Sequence, residues 1–566
     1  MAAAQGRADA GLRSLARPDP DFRVYSTAGQ IPNAGFYFIE STAPDNVEQR
    51  VDPGGKPPDG LTLVDPDQAV KDIAETLTPE HDPEVDANLV VMVHGFNTPR
   101  DRALEFYAKA LEVIEIDRDK LFGDAARRTV CVGYRWPSER IGSVLGSSLG
   151  ALPAFPLIIL TASLLAIALC VWIVAAVLKF AGVVETHLTR DLLTIIVIVC
   201  GLLIIAIVIL ALLRAIVYFR DVYRATNYGV PDLVEVIRQI DREAVQRLSD
   251  LGETQARSHR RRIALSFVGH SMGGLIVTNA IRVLSDVFGK NVIRTTLSGR
   301  LRPEMAARER EGEDDEVPGR IGHVFTLMRF LLVSPDIPAE ALLADRANFL
   351  ASSLRRFREA YLFSNEGDEV LRAISTAVNY FTFPTLSRVY GYRLGNAEIL
   401  TSGFGATPPD QNSLDILRAG TRTLSYLSGE MTRAQRPAAV ARAFTFFDCT
   451  DYKDGDPPRG MLTEALNFKR NNPTAGIPLW AQFKLLILYM LGRVDVHSGY
   501  FDGAVTQRLI YRLACLGSDG SLRAYGDMDA MLAECAEHQI RVMLSKRPRA
   551  RTRRPPEAMN LSDDPA

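Results

Sequence analysis

The sequence predicts a mostly parallel α/β fold into which a pair of membrane-spanning helices is inserted. Along most of the chain, short β-rich runs alternate with amphipathic helical patterns, as they do where crossover helices join parallel strands. Two uncharged apolar segments, residues 151–178 and 192–213, are each long enough to cross a bilayer. Together these observations predict an α/β domain that is attached to a membrane.

The composition is that of a folded protein with a large core. The chain has 566 residues, of which 47% are apolar and 23% charged, and its formal net charge is −2. These values exclude an intrinsically disordered chain, and they argue against nucleic acid as a partner because phosphate binding requires a basic surface. The six cysteines are widely spaced, so we expect neither a disulfide framework nor a metal site. No cofactor motif is visible, and none is expected to bind.

The two uncharged segments predict a transmembrane hairpin. They are 28 and 22 residues long, and a helix of about 20 apolar residues spans a hydrocarbon core of ~30 Å. Helices buried in a soluble core keep a polar stripe, whereas these segments have none. We therefore predict a hairpin at residues 144–216, with spans at about 151–178 and 192–213. Arginines are more numerous in its outer flanks than between the spans, which puts the rest of the chain, including both termini, in the cytoplasm.

This hairpin divides the α/β part into residues 31–143 and 217–543. Residues 1–30 and the basic residues 544–566 lack periodicity, so we predict that both are disordered tails. Strands are predicted at residues 89–93, 129–134, 263–268, 329–333, 360–363 and 443–447.

A late insertion, residues 452–493, contains the apolar run 477–491, which with 15 residues is too short to span a membrane. We expect a buried core helix there, because helices that lie on a bilayer usually have a more charged opposite face. The alternative is a lid that rests on the bilayer surface. Basic clusters at 257–262 and 546–554 are either solvated or in contact with anionic lipid, where each base contributes ~1 kcal/mol.

The strongest catalytic signal is Gly269-His270-Ser271-Met272-Gly273, which follows the strand at 263–268 and opens a helix. The pattern G-x-S-x-G requires glycines because the turn from strand to helix is tight and leaves no room beside the serine. Such a turn presents a serine hydroxyl at the carboxyl edge of a sheet. Ser271 is therefore the predicted nucleophile.

A second element, His94-Gly95-Phe96, follows an earlier apolar strand, where an oxyanion loop is expected. The predicted oxyanion donors are the backbone N–H groups of Phe96 and Met272. His94 itself is expected to be structural.

The partners of the nucleophile should follow it in the order acid, then histidine. Of the later histidines, His323 precedes a strand and His538 falls in a helical pattern, so His497 is the predicted base. Asp368 and Asp336 both follow strands, where active-site groups collect in open α/β sheets. Asp368 is preferred because it follows the later strand, and Asp336 remains the alternative.

Together, VVMVHGFNT, YRWPS, VGHSMGG, SPDIP and HSGYF resemble the α/β-hydrolase superfamily, and within it an uncharacterised bacterial branch of serine esterase-like proteins. The resemblance covers about residues 31–543 apart from the hairpin. It implies an α/β-hydrolase fold and a Ser271, Asp368 and His497 triad that hydrolyses an ester or acyl-lipid substrate through an acyl-enzyme. The chain departs from the family pattern in two places. A hairpin follows WPS, and roughly 50 residues separate the last predicted strand from His497, which is more than the resemblance implies. Alternatives are an inactive membrane-tethered scaffold on the same fold, or an amidase or thioesterase.

Overall fold

The computed structural model of the chain describes most of the α/β part and little of the segment between residues 139 and 216. The described residues are 22–27, 35–43, 57, 60–78, 87–117, 129–138, 172–173, 176, 195, 201, 217–250, 263–284, 320–342, 349–354, 356–375, 392–407, 416–419, 422–423, 444–455, 476–490 and 493–545.

The described strands are β1 (Phe22–Ser26), β2 (Gly35–Ser41), β3 (Thr62–Val64), β4 (Asn88–Val93), β5 (Thr129–Arg135), β6 (Ile263–His270), β7 (Arg320–Ile321), β8 (Phe325–Val333), β9 (Glu359–Ser364), β10 (Ala397–Ile399), β11 (Gly405–Ala406), β12 (Leu417–Ala419), β13 (Arg422–Thr423), β14 (Thr445–Asp448) and β15 (Arg541–Met543). The α-helices are α1 (Pro66–Leu77), α2 (Arg100–Asp117), α3 (Val230–Asp250), α4 (Met272–Leu284), α5 (Phe349–Leu354), α6 (Leu479–Met490), α7 (Ala504–Tyr525) and α8 (Met528–Glu537). Residues 217–224 are also helical, and the π-helical turn Ala225–Gly229 joins them to α3.

One large sheet organises the fold, in the order β11-β15-β14-β9-β8-β6-β4-β5-β2-β1-β3, with β7 paired to β8. The strands from β14 to β2 in that order run parallel, whereas β1, β3, β7 and β15 add antiparallel edges. A small separate sheet has the order β10-β12-β13. The expected α/β class with a largely parallel central sheet is confirmed.

Helices cover both faces of the sheet, which explains why its central strands are continuous apolar runs. Every residue of β4, β5 and β6 is buried. Alternate residues of β4 face opposite layers: Val91 packs in the core with α1, α3, α4 and α5, and Met92 packs with α2, α7 and α8. Because the parallel strands share a direction, the loops after β4, β5, β6, β8 and β9 meet at one carboxyl edge.

The structure differs from the sequence-based predictions at both ends of the chain. β1 lies inside the predicted tail 1–30, where Val24 and Tyr25 are buried and the strand pairs with β2. β15 was not predicted either. The predicted strand at 443–447 is therefore not the last strand of the chain. Both are short strands at the sides of the sheet. β1 pairs with the next strand, β2, whereas β15 pairs with β14, far away in the sequence. Apart from residues 27, 544 and 545, the remainder of the two predicted tails lies outside the described residues.

The predicted hairpin, residues 144–216, also lies outside the described residues, except for residues 172, 173, 176, 195 and 201. Among the helices that the structure describes, none has the length and the apolar character needed to cross a membrane.

The predicted core helix at 477–491 is found as α6, but it is not a core helix. Ala481 and Leu485 are buried, whereas Trp480 and Phe483 are exposed. The buried side packs into a small satellite cluster with Ile477, and not into either main core layer. The expectation of a buried core helix was wrong, because a mostly apolar sequence does not reveal which side of a helix is covered.

Candidate active site

Ser271 occupies a sharp turn between β6 and α4. Its φ of 53° lies in the left-handed region, which is costly for a residue that has a side chain. The turn fits only because its neighbours are glycines: a Cβ on Gly273 would lie 2.3 Å from the carbonyl oxygen of Val93, and one on Gly95 would lie 2.7 Å from the Cβ of Ser271. The strained turn and the close approach of the Gly95 loop together explain the glycine pattern that the sequence displays.

The backbone of Ser271 is tied to the loop after β8. Its N–H donates to the carbonyl oxygen of Val333 at 3.0 Å, and its carbonyl accepts from the N–H of Asp336 at 3.1 Å. The side chain is fully buried, and its Oγ makes no hydrogen bond with any described residue. Ser271 is therefore fixed by its backbone, while its hydroxyl remains available.

His497 and Asp368 meet at the same edge of the sheet. The Nδ1 atom of His497 lies 2.6 Å from Oδ2 of Asp368, and both residues are buried. The carboxylate of Asp368 is itself held in place, because its Oδ1 accepts from the N–H groups of Val370 and Leu371 at 3.1 Å each and its Oδ2 accepts from the hydroxyl of Ser334. The Nε2 atom of His497 is buried and has no hydrogen-bond partner among the described residues.

The charge of Asp368 sets the protonation of His497. Burial by itself lowers the pKa of His497, but the charge and hydrogen bond of Asp368, with the more distant charges of Asp495 and Asp336, raise it further than burial lowers it. The pKa of His497 therefore stands above the usual value of 6.5. A histidine in this condition accepts a proton readily and holds it while a negative charge develops nearby.

Asp336, the alternative acid, is engaged elsewhere. Its Oδ2 accepts from the hydroxyl of Tyr218 at 2.8 Å, and its Oδ1 lies 2.9 Å from Nε of Arg393. Arg393 also donates to the hydroxyl of Tyr218 at 3.0 Å. These contacts link the loop after β8 to the helical residues 217–224, so Asp336 organises the surroundings of the site.

The two predicted oxyanion donors belong to segments next to Ser271. Met272 is the first residue of α4, so its N–H has no acceptor within the helix. Phe96 follows Gly95, whose ideal Cβ position lies 3.3 Å from Oγ of Ser271, and the ring of Phe96 contacts that of Tyr218 at 5.8 Å. The loop from His94 to Phe96 therefore lies against the hydroxyl of Ser271.

His94 has the structural character that was expected of it. Its ring stacks on Trp136 at 5.5 Å, and its Nδ1 lies 2.7 Å from the carbonyl oxygen of Gly95. Burial is the largest cause that lowers the pKa of His94, to about 3, so the ring is neutral at physiological pH. The other two rejected histidines differ: His323 lies in the turn before β8, at the opposite edge of the sheet, and His538 follows the end of α8.

Two further residues bear on the site and were not singled out from the sequence. His270, the residue before the serine, is buried, and its Nε2 lies 3.2 Å from the carbonyl oxygen of His497. Asp221 is fully buried and accepts hydrogen bonds from the N–H of Asn97 at 3.2 Å and from the hydroxyl of Ser138 at 3.1 Å. His270 occupies a variable position of the G-x-S-x-G pattern, which is a weak signal, and Asp221 has no local signal at all.

Chemically, the arrangement combines a buried hydroxyl on a strained turn with a histidine polarised by a carboxylate. No cluster of side chains able to hold a metal ion occurs among the residues that the structure describes. Comparison with protein-family models, with curated proteins and with solved structures found no match.

Proposed function

We propose that this chain is a membrane-anchored serine hydrolase of the α/β-hydrolase fold, a carboxylesterase or lipase that works through an acyl-enzyme. The observation that carries the proposal is the 2.6 Å contact between Nδ1 of His497 and Oδ2 of Asp368, beside the strained turn of Ser271. A buried His–Asp pair next to a nucleophile elbow is the arrangement that activates a serine for acyl transfer.

In the proposed mechanism, the Oγ of Ser271 attacks the carbonyl carbon of an ester while Nε2 of His497 takes its proton. Asp368 keeps the proton of the neutral ring on Nδ1 and stabilises the imidazolium that forms. The N–H groups of Phe96 and Met272 donate to the oxygen that becomes an alkoxide. The imidazolium then protonates the departing alcohol, and a water molecule, activated by the same ring, releases the acid from the serine.

The order of the loops along the chain supports the α/β-hydrolase fold. The oxyanion loop follows β4, the serine follows β6, the acid follows β9 and the histidine comes later still, which is the sequence of elements in that fold. The parallel strands bring these loops to one edge. The pairing of Asp368, and not Asp336, with His497 agrees with the acid following the later strand.

The proposed anchor is the hairpin at 144–216, and two contacts favour its attachment beside the site. Ser138, the last described residue before it, donates to Asp221, and Asp221 also accepts from Asn97 next to the oxyanion loop. The uncharged segments 151–178 and 192–213 are long enough to span a bilayer. The proposed enzyme is thus a two-span membrane protein whose catalytic part lies in the cytoplasm.

A second candidate, an inactive scaffold on the same fold, is favoured by one observation: Oγ of Ser271 and Nε2 of His497 are not hydrogen-bonded to each other. That contact often forms only when substrate binds, so the hydrolase remains our conclusion. Amide and thioester hydrolysis would use the same acyl transfer, and the choice of bond is part of the test.

The test is labelling of the full-length protein in detergent with a fluorophosphonate, followed by a panel of acyl esters, amides and thioesters. The wild type should be labelled, and Ser271→Ala should not. Ser249→Ala is the matched control, because Ser249 is an exposed serine on α3 that bonds only within its own helix. A wild-type protein that is folded but neither reacts with the probe nor cleaves any substrate would establish the scaffold instead.

A further inference from the structure

One side of α6 is an exposed aromatic surface. Trp480 is 56% exposed and Phe483 is 63% exposed, and Lys484 beside them is also exposed. The opposite side, with Ala481 and Leu485, is buried in the satellite cluster. An exposed tryptophan and phenylalanine on one helix surface are costly in water and are typical of a segment that contacts lipid.

This helix rests on the loops that carry the acid and the histidine. The satellite cluster beneath α6 includes Val496, which directly precedes His497. The carbonyl oxygen of Val496 accepts from Nδ2 of Asn365 at 3.0 Å, and the N–H of Ile477 donates to Oε1 of Glu366 at 3.1 Å. Asn365 and Glu366 both belong to the loop after β9 and lie three residues or fewer from Asp368. The exposed surface of α6 therefore lies at the catalytic edge of the sheet.

A second aromatic pair is exposed at the same edge. Phe219 and Tyr223, on the helical residues 217–224, are 42% and 54% exposed. Tyr218 on that helix contacts the ring of Phe96 and donates to Asp336, so the helix lies against the oxyanion loop and the loop after β8. Two exposed aromatic pairs thus flank the site, one beside the histidine and one beside the oxyanion loop.

The route of the chain identifies what covers these aromatics. Ser138, which follows β5, donates to Asp221 on the helical residues 217–224, so the two ends of the hairpin region meet at the carboxyl edge. The uncharged segment 192–213 ends four positions before Val217. A bilayer entered by that segment lies next to the catalytic edge, where tryptophan, tyrosine and phenylalanine prefer the interface and a lysine reaches the headgroups.

We propose that α6 lies in the bilayer interface through Trp480 and Phe483, and that the substrate is an acyl ester of a membrane lipid that enters the site from the bilayer. The proposed orientation of α6 is supported by the exposed aromatic side chains and by the route of the chain. The proposed substrate class, in contrast, rests on the proposed hydrolase function. The satellite cluster couples the position of α6 to the loop of His497, so contact with lipid also stabilises the segment that carries the base.

The orientation is tested by fluorescence, because the chain has only three tryptophans. In a Trp172→Phe protein, the remaining tryptophans are the fully buried Trp136 and the exposed Trp480. This full-length protein is reconstituted in vesicles of phosphatidylcholine and phosphatidylglycerol, with or without bromine on the acyl chains. The emission of Trp480 is the part that the further substitution Trp480→Phe removes. We expect brominated lipid to lower this emission at least twofold. If brominated lipid leaves that emission unchanged, α6 is covered by protein or faces water, and the proposal is wrong.

The substrate class is tested with the double variant Trp480→Ser and Phe483→Ser. We expect the ratio of two rates, hydrolysis of a vesicle-borne acyl ester over hydrolysis of a soluble short-chain ester, to fall at least tenfold. Leu63→Ser is the matched control, since Leu63 is 56% exposed on β3 at the far side of the sheet, and it should leave the ratio unchanged.

An unchanged ratio in the double variant overturns the proposed route of the substrate. A failure of the hydrolase proposal appears differently: the wild type then cleaves neither ester and does not react with the fluorophosphonate, while the quenching of Trp480 still reports the orientation.

Discussion

The Nε2 atom of His270 lies 3.2 Å from the backbone carbonyl oxygen of His497. The two rings are 5.0 Å apart between centroids, and both residues are buried. Burial first, and then the charge of His497, lower the pKa of His270 well below its usual value. The ring of His270 is therefore neutral, and its Nε2–H donates a hydrogen bond to this carbonyl. The residue beside the proposed nucleophile in sequence thus holds the loop of the proposed base.

Replacing His270 should slow the reaction without removing any reacting group. Loss of one buried hydrogen bond is worth about 1–1.5 kcal/mol, so His270→Phe should lower kcat roughly tenfold, with a smaller change in KM. His270→Gln keeps an N–H donor and should recover part of that loss. Steady-state kinetics on a soluble ester measures both variants, and an equal loss in the two would show that His270 acts through packing alone.

Asp368→Asn should reduce turnover by about 10⁴-fold while leaving the protein folded, as removal of a triad acid does. Asp336→Asn should instead lower stability, because it breaks the contacts with Tyr218 and Arg393. The two variants are compared by turnover and thermal melting in detergent. A greater loss of turnover in Asp336→Asn, between equally folded variants, would transfer the role of acid to Asp336.

The pH profile should report His497. The proposed base must be neutral to accept the proton of Ser271, so kcat/KM should fall as the pH drops through the pKa of His497, with a midpoint above 6.5. In Asp368→Asn the largest cause that raises this pKa is gone and burial dominates, so the midpoint should move to lower pH. The folded-state pKa exceeds the unfolded one, so this pair contributes stability below pH 6.5 that is lost as the pH rises through the folded pKa. A wild-type midpoint below 6.5 contradicts the assignment.

The ionised carboxylate of Glu369 should lower the free energy of unfolding at alkaline pH. It is buried beside Asp368, and burial, only partly offset by Arg372, raises its pKa from 4.5 to about 7. The folded state thus binds this proton more tightly than the unfolded state, so stability declines as the pH rises from 4.5 to 7. Glu369→Gln should raise the free energy of unfolding by about 3 kcal/mol at pH 8 and by little at pH 4.5. Chemical denaturation measures this, and the exposed Glu537→Gln should show no such pH dependence.

The hairpin should be separable from the catalytic part. Replacing residues 144–216 with a short flexible linker should release the protein from the membrane fraction, yet leave reaction with a fluorophosphonate and hydrolysis of a soluble ester. The reason is that Ser138 and Asp221, which join the ends of the insertion at 3.1 Å, both remain.

A longer excision, of residues 139–221, is the matched comparison. It removes Asp221 and Tyr218, so the N–H of Asn97 and the carboxylate of Asp336 both lose a partner, and reaction with the probe should be lost. If the shorter excision folds, with a cooperative melt, but cleaves no ester that the full-length protein cleaves, the hairpin shapes the site itself.

Local patterns in the sequence were sufficient for the central strands and for the turn of Ser271. β4 and β6 are apolar runs that lead into glycine-containing turns, and each predicted strand overlaps an observed one. The glycines around Ser271 are needed by a backbone conformation that spans only a few residues, so the motif is visible without the fold. β15 was missed because so short a strand is defined by its partner β14, which lies far away in the sequence. β1 was missed because its five residues lie within an N-terminal segment that has no periodicity.

The sequence by itself determined the α/β class, most of the central strands and the candidate residues Ser271, Asp368 and His497, because these depend on composition, periodicity and short motifs. Only the tertiary structure decided which carboxylate meets His497, since Asp336 and Asp368 both follow strands and only Asp368 lies 2.6 Å from the ring. It alone also revealed that α6 turns Trp480 outward and Leu485 inward. Contacts between segments more than a hundred residues apart, such as Asp368 with His497, depend on the packing of the whole sheet, and no local pattern encodes them.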